Sequence, residues 1–289
     1  MKHLITAIAI FGATTLAVQT SSAQPSGAIT NQVTDPTNAL WDFSKLTNEL
    51  QNMDLSLYKV SGKVTNEQAE IMYSDPFTQD GGGKFSGSGQ TAATLIYNFD
   101  QGSMPDTNDF NASYQVGGSV TSTKGTSRLV FTTKLSGKVI ESGTSGQLSA
   151  ASTYTVNVDA VTGIVSGRYA RSGTLAEKGK TRTASDTGTF GPNPLSDFAD
   201  EVGNGTWALT LVFTQTSGNA LKGAATVILD SGATYPFTFT GTYSPHKSES
   251  TLALKGVAGG KGSLLAVTLQ GDNITKIAGL VSGQTVNVK

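Results

Sequence analysis

The chain has 289 residues, no cysteine and two histidines; 14% of its residues are charged, and its formal net charge is −1. Without cysteine it can form no disulfide bond, no thiolate-ligated zinc or iron–sulfur site and no thiol nucleophile. The near-neutral charge gives no electrostatic basis for binding nucleic acid or an anionic membrane surface.

The first 23 residues have the pattern of a cleaved signal peptide. Lys2 provides a positive start, residues 4–18 are largely apolar, and the small residues Ser21 and Ala23 lie at positions −3 and −1 of a cleavage site. The apolar stretch is shorter than the roughly 20 residues that a membrane-spanning helix needs, and no second one follows. We therefore expect cleavage after Ala23, export to the periplasm or the cell exterior, and no transmembrane helix in the mature chain.

One short helix is predicted near the start of the mature chain. Asp35 suits the N-cap and Pro36 the first helical position. Four apolar residues then recur at helical spacing as far as about Gln51: Leu40, Phe43, Leu46 and Leu50.

Most of the remaining sequence alternates apolar and polar residues, as in 154–158, 207–213 and 235–243, and glycine clusters separate these segments. The 40 Thr, 30 Ser and 34 Gly fit this pattern, because threonine favours extended backbone and tolerates water while glycine serves turns. Such strands are typical of an antiparallel sheet with one solvated face. Since long sheets twist and open edges are a liability, we predict an all-β fold: an antiparallel meander curled into a barrel, a half-barrel or a sandwich.

The sequence also indicates an internal repeat. Short matches follow one another in the same order: 38–43 with 193–198, 55–57 with 209–211, 85–87 with 221–223, 97–99 with 237–239, 118–120 with 241–243, 129–131 with 252–254, and 164–167 with 276–279. They predict two similar halves, residues 38–175 and 193–289, each a short helical entry followed by strands. Residues 24–37 are then an N-terminal linker, and residues 176–192 are either a linker or an exposed hairpin.

The C-terminal region carries a family resemblance. Lys-Gly at 255–256, Gly-Gly-Lys-Gly-Ser-Leu at 259–264, Val-Thr-Leu at 267–269, Asn-Ile-Thr-Lys-Ile-Ala-Gly at 273–279 and Ser-Gly-Gln at 282–284 resemble the end of uncharacterised secreted bacterial β-rich proteins. The resemblance implies a location at the cell envelope and β structure. It brings no known activity and no functional residues.

The sequence offers few catalytic groups. His246 is the single histidine of the predicted mature chain and lies in a predicted turn, and no Gly-x-Ser-x-Gly motif presents a serine to it. One histidine also cannot build a multi-histidine metal site. Three acidic clusters are candidates for the two carboxyl groups of a glycoside hydrolase, but their Pro, Asn and Gly neighbours favour turn formation and helix capping; they are Asp106/Asp109, Asp197/Asp200/Glu201 and Asp75/Asp80.

Two further patterns have two interpretations each. Residues 106–111 place oxygen ligands at alternate positions, as calcium loops do, but lack the glycine and distal glutamate of an EF-hand, which favours an ordinary Asx-rich loop. An aromatic stripe fits either a sugar-binding platform or a sheet core, and the phenylalanine content favours the core; it comprises Tyr235, Phe237, Phe239 and Tyr243.

We therefore assign no catalytic residue, no metal ligand and no cofactor, and leave the ligand-binding residues open. The sequence predicts an exported, non-enzymatic envelope protein with a structural or ligand-binding role. An apolar ligand fits if the sheet encloses a cavity, and a glycan is the other candidate ligand. One alternative is a carbohydrate-active hydrolase that uses an Asp/Glu pair. The other is an outer-membrane β-barrel, which the signal peptide and alternating strands favour but the non-aromatic C-terminus and 8% aromatic content do not.

Overall fold

A computed structural model describes residues 24–44, 46, 55–58, 64–73, 78–99, 106–123, 125–139, 146–177 and 180–289. Within these residues the strands form two antiparallel sheets and every helix is short, which confirms the predicted all-β antiparallel fold. The predicted signal peptide, residues 1–23, lies outside the described residues.

The N-terminal sheet is a meander with the order β10-β9-β8-β7-β6-β5-β3-β2, and β4 pairs separately with β5. Its strands are β2 (Leu55–Tyr58), β3 (Val64–Tyr73), β4 (Thr78–Gln79), β5 (Lys84–Phe99), β6 (Asp106–Thr123), β7 (Thr126–Val139), β8 (Gly146–Asp159), β9 (Ile164–Glu177) and β10 (Lys180–Pro194). The edge strands β2 and β10 contact each other, so the sheet curls into a half-barrel.

The two faces of the N-terminal sheet differ in polarity. The apolar face buries Leu129, Phe131, Tyr154, Val156 and Val165, which pack with residues before β2 and after β10. The opposite face, here called the polar face, exposes mainly serine, threonine and glutamine, which alternate with the buried residues along the same strands. This alternation is the one that the sequence pattern predicted.

The C-terminal sheet has the order β1-β11-β12-β13-β14-β15-β16-β17. Its strands are β1 (Ala28–Val33), β11 (Trp207–Ser217), β12 (Ala220–Leu229), β13 (Thr234–Ser244), β14 (Glu249–Gly256), β15 (Leu264–Gln270), β16 (Asn273–Val281) and β17 (Gln284–Val288). Their inward side chains form one continuous core around Trp207, Leu209, Phe237, Val267 and Ile277. Burial of this apolar area is the main stabilising term of the sheet.

One predicted boundary needs correction, and one open alternative can be compared with the strand pairing. The segment 24–37 is not a plain linker, because it contains β1, which pairs with β11 from Ala28↔Val212 to Val33↔Trp207. For residues 176–192, where the sequence left a linker and an exposed hairpin open, β10 pairs with β9 along nearly its whole length, as in the hairpin alternative. The apolar residues that β1 adds to the C-terminal core, Ile29 and Val33, explain why it is ordered.

The internal repeat stays a prediction. Apart from the first pair, 38–43 with 193–198, the matched segments fall on strands of the two sheets, and both sheets follow the chain in simple antiparallel order. However, Phe85 and Tyr97 lie in the single strand β5, whereas their proposed counterparts Leu221 and Phe237 lie in two strands, β12 and β13. One of these two matches therefore cannot hold.

The predicted N-terminal helix is interrupted. Asp35 caps a 3₁₀ helix, Pro36–Asn38, and accepts a hydrogen bond from Thr37 N at 2.9 Å; hydrogen bonds from Thr37 hold the pKa of the Asp35 carboxyl below its usual value. Residues 39–42 leave the helical path, since Leu40 N donates to Gly205 O at 3.0 Å and Asp42 N to Val202 O at 3.2 Å. Helical backbone resumes at Phe43, Ser44 and Leu46, and the predicted Leu50 lies outside the described residues. Tertiary contacts thus override the helical periodicity.

Short helices connect the sheets elsewhere. A 3₁₀ helix, Leu195–Phe198, runs directly into α1 (Ala199–Val202), and a further 3₁₀ helix, Ala258–Gly260, follows β14. Leu195 and Val202 are buried against the apolar face of the N-terminal sheet.

The two sheets meet at a junction of glycine-rich turns, here called the glycine junction: residues 79–83, 260–263 and 282–283. Ser263 Oγ donates to Gly81 O at 2.6 Å and Ser282 Oγ to Asp80 O at 3.1 Å. The backbones approach so closely that a Cβ on Gly81 would lie 2.2 Å from the carbonyl carbon of Gly260. The glycine clusters therefore allow close packing between sheets, besides the turns that the sequence predicted.

A second set of hydrogen bonds joins residues 38–41 to the last strand, β17. The buried Gln284 accepts a hydrogen bond from Trp41 N at 3.0 Å and donates one to Trp41 O at 2.7 Å. Asn38 Oδ1 accepts from Asn287 N at 2.6 Å, and Trp207 Nε1 donates to Asn38 O at 2.7 Å. These bonds satisfy backbone groups that would otherwise be buried without partners.

Candidate functional site

The single histidine of the predicted mature chain, His246, lies exposed in the turn between β13 and β14. Backbone hydrogen bonds close this turn, from Lys247 N to Ser244 O at 3.2 Å and from Ser248 N to Pro245 O at 3.3 Å. The location is the turn that the sequence predicted, and we assign no chemistry to it.

The proposed calcium segment, residues 106–111, is part of strand β6. It pairs with β5 on one side and with β7 on the other. Neither a calcium loop nor an Asx-rich loop is present, because an extended, paired strand cannot wrap oxygen ligands around one ion. In the described part of the chain, no group of three or more Asp, Glu or His residues could hold a metal ion.

The other acidic clusters serve turns and helices. Asp80 Oδ1 accepts hydrogen bonds from Gly82 N at 2.9 Å and Lys84 N at 2.8 Å, which confirms its predicted role in a turn. Asp197 lies in the first turn of the 3₁₀ helix after β10, where the helix dipole favours a negative charge. Asp75, the proposed partner of Asp80, lies outside the described residues.

The aromatic stripe of β13 belongs to a core. Tyr235, Phe237, Phe239 and Tyr243 are all buried in the C-terminal sheet. Phe239 also meets Phe213 edge to face, with ring centroids 5.1 Å apart. The stripe therefore offers no platform for a sugar, and the core interpretation is confirmed.

A cavity, here called the first hollow, lies elsewhere, against the N-terminal sheet. This first hollow has a volume of about 1060 Å³ and is lined by six successive strands, β5 to β10. Strand pairing aligns its lining side chains in two adjacent cross-strand rows. The first row is Ser88, Gln115, Lys134, Ala151, Ser172 and Ser185, and the second is Gln90, Ser113, Ser136, Ser149, Thr174 and Thr183.

We place the first hollow on the polar side of the sheet, because eleven of the twelve residues in its two rows are exposed. Between the two rows lie Gly89, Tyr114, Ala150 and Gly173, which also line it. Because successive side chains of a strand point to opposite faces, Tyr114 and Ala150 turn to the apolar face, where they are buried. The hollow thus meets their backbone and the side chains of the two flanking rows.

Serine, threonine and glutamine make up ten of the sixteen described lining residues. Serine and threonine hydroxyls and glutamine amides each both donate and accept hydrogen bonds. Lys134 is the one charged side chain among the described lining residues, and no carboxylate is among them. The first hollow is therefore suited to a ligand with many hydroxyl groups. Its described lining offers no carboxyl group for acid–base catalysis.

A half-buried ion pair lies on the apolar face of the N-terminal sheet. Arg171 and Asp186, cross-strand partners on β9 and β10, are paired at 2.5 Å, and the arginine side chain is only 9% exposed. The guanidinium carbon lies 4.2 Å from the ring centroid of Tyr169. Burial raises the pKa of the nearby Tyr154 phenol above its usual value. This pair fixes the relative position of two strands that line the hollow.

Sequence reasoning missed the first hollow because its residues carry no motif. The alternation of Ser and Thr with apolar residues marks each of them as part of a solvated face, as predicted. Which of them share a row depends on strand register, which the sequence alone leaves open.

None of the comparisons with protein-family models, curated proteins and solved structures found a match to this chain. Among the residues that the structure describes, no helix is long and apolar enough to cross a membrane.

Proposed function

We propose that this chain is an exported, non-enzymatic binding protein whose N-terminal sheet holds a neutral glycan in the first hollow. The observation that carries the proposal is the pair of cross-strand rows, in which hydroxyl and amide side chains predominate around about 1060 Å³. Export rests on the signal-peptide pattern of residues 1–23.

A glycan fits the first hollow better than an apolar ligand does. Pockets for apolar ligands are lined mainly by hydrophobic and aromatic side chains. Here the exposed rows present Ser136, Ser149 and Gln115 instead, and Ala151 is the one apolar residue among their described members. Sugar hydroxyls can exchange hydrogen bonds with such a lining in both directions.

Binding is favoured over hydrolysis by the same lining. Glycoside hydrolases of the standard kind place two carboxyl groups beside the scissile bond. The described lining residues include no Asp or Glu. The proposal therefore assigns recognition to the first hollow and no bond cleavage.

The test measures binding of the purified protein to a panel of neutral oligosaccharides by calorimetry. Ser136 and Ser149 are cross-strand partners in the second row, so the double variant Ser136→Trp/Ser149→Trp fills the first hollow. The matched control is Thr242→Trp/Thr251→Trp, an exposed cross-strand pair on the C-terminal sheet.

We expect the wild type and the control to bind at least one neutral oligosaccharide with a Kd below about 1 mM, and the hollow-filling variant to lose this binding. Similar melting temperatures of the two double variants show that both are folded. The proposal is overturned if no oligosaccharide of the panel binds, or if the hollow-filling variant binds as the control does.

A further inference from the structure

A second hollow, of about 460 Å³, lies on the same polar face. The polar-face side chains that line it come from β7, β8, β9 and β10: Arg128, Thr155, Asn157, Ser166, Arg168 and Thr189. These side chains supply two guanidinium groups, one amide and three hydroxyls. The described lining contains no carboxylate.

The two arginines flank strand β8 from both sides. Arg128 on β7 is the partner of Asn157, and Arg168 on β9 is the partner of Thr155. Because neighbouring strands are about 4.8 Å apart, β7 and β9 are separated by about 10 Å, with β8 between them. Guanidinium groups on long side chains can converge over β8 from this separation. Each presents a planar fork of donors that matches the oxygens of a sulfate or a carboxylate.

Neither arginine is neutralised by a described acidic side chain. No carboxylate of the described residues lies within 4.0 Å of Arg128 or Arg168. The nearest acid along β8 on this face is Asp159, whose Oδ1 accepts hydrogen bonds from Val161 N at 2.9 Å and Thr162 N at 3.0 Å. Backbone hydrogen bonds from these residues hold the pKa of Asp159 below its usual value, so its charge serves the turn after β8.

The two hollows are connected along the polar face. One cross-strand row of exposed small residues lies between them: Thr187, Ala170, Thr153 and Thr132. On β8, Ala151 of the first hollow and Thr155 of the second are four residues apart, about 14 Å at the usual rise of a strand. An extended ligand can therefore cross from one hollow to the other over a polar, acid-free surface.

We propose that the second hollow is a subsite for a sulfate or carboxylate group of the glycan, with Arg128 and Arg168 as its two recognition residues. The inference rests on the proposed function and adds one feature to the ligand: an acidic substituent next to the neutral sugar units that the first hollow holds. The neutral first hollow holds the sugar hydroxyls, and the arginine pair holds the acidic substituent.

The experiment compares three probes on the purified protein: sulfated dextran oligosaccharides, unmodified dextran oligosaccharides of the same length, and inorganic sulfate. Each probe is titrated into the wild type, Arg128→Gln, Arg168→Gln and the double variant, at low salt and at 0.5 M sodium chloride. Both arginines are exposed, so the variants are expected to melt as the wild type does. Lys222→Gln is the control, because it removes one exposed positive charge from the C-terminal sheet.

We expect the sulfated oligosaccharide to bind more tightly than the neutral one. Each arginine substitution should weaken its binding about fivefold or more, while Lys222→Gln leaves it unchanged. The advantage of the sulfated probe should shrink at high salt, since exposed charges are screened. If inorganic sulfate binds weakly and the arginine variants abolish this binding, the anion is located at this subsite. If, in addition, no glycan binds, the proposed function is refuted and the anion subsite stands. Equal binding of the sulfated and neutral probes, or arginine variants that bind as Lys222→Gln does, overturns the subsite and leaves the neutral-glycan proposal standing.

Discussion

At the scale of single residues, one buried amide connects the two ends of the folded chain. Gln284 is only 2% exposed and forms both of its hydrogen bonds with the backbone of Trp41. A glutamine can donate and accept at once, which is what the N–H and C=O of one residue require. No other uncharged side chain of this length offers the same pair of bonds.

Replacing Gln284 with leucine should destabilise the protein by about 2–3 kcal/mol, because the N–H and C=O of Trp41 would be left buried without partners. The measurement is the free energy of unfolding in urea. Gln270→Leu is the control: its side chain is exposed and donates to Lys247 O at 2.7 Å, so the expected loss is within about 0.5 kcal/mol. Equal losses in the two variants would show that burial of the amide contributes nothing.

At the scale of elements, the turns of the glycine junction decide how closely the two sheets pack. Gly81 accepts a hydrogen bond from Ser263 and lies against the backbone of Gly260. The nearest atoms are main-chain atoms, which cannot rotate away as a side chain can. The contact between the sheets therefore depends on the absence of a Cβ at this position.

Gly81→Ala should lower the free energy of unfolding by about 1–3 kcal/mol, because the added methyl group overlaps the Gly260 backbone. Gly259→Ala is the matched control on the other side of the junction, since a Cβ there meets no atom within 4 Å. Chemical denaturation of both variants checks the difference. The role of the junction is refuted if Gly81→Ala is as stable as Gly259→Ala.

The sequence predicted individual strands and helix caps better than it predicted the contacts and pairing between them. The Asp35–Pro36 cap is where the sequence placed it, but residues 39–42 turn away because Leu40 and Asp42 bond to a distant segment. The alternating strands were recognisable from periodicity of two, and β1 was missed because its six residues include Thr30, Asn31 and Gln32. Similarly, the serine and threonine positions of the first hollow were recognised as a solvated face, whereas their alignment in rows follows from pairing that no local pattern encodes.

At the scale of the whole molecule, the C-terminal sheet depends on a strand from the other end of the chain. Its edge strand β1 pairs with β11, and Val33 belongs to the C-terminal core. Without β1, the edge of β11 would present unpaired backbone groups to solvent.

A chain that begins at residue 35 should therefore be less stable and prone to self-association. A peptide of residues 24–34 added in trans should restore a monomeric, more stable protein, because it supplies the missing edge strand. Size-exclusion chromatography and thermal melting with increasing peptide measure this rescue. The same peptide with Val33→Asp is the control, since it brings a charge into the core. If the shortened chain were as stable and monomeric as the full one, β1 would be dispensable.

The pairing of Val33 with Trp207 also shows where one sheet is inserted into the other along the chain. These two residues are direct neighbours at the end of one antiparallel pair, a position that a short hairpin turn could bridge. Topologically, the entire N-terminal sheet is an insertion at the tip of a hairpin that belongs to the C-terminal sheet. The surface proposed to bind glycan therefore lies on the inserted sheet. Another segment inserted at this point would have to replace Leu40, which the inserted part of the chain contributes to the core of the C-terminal sheet.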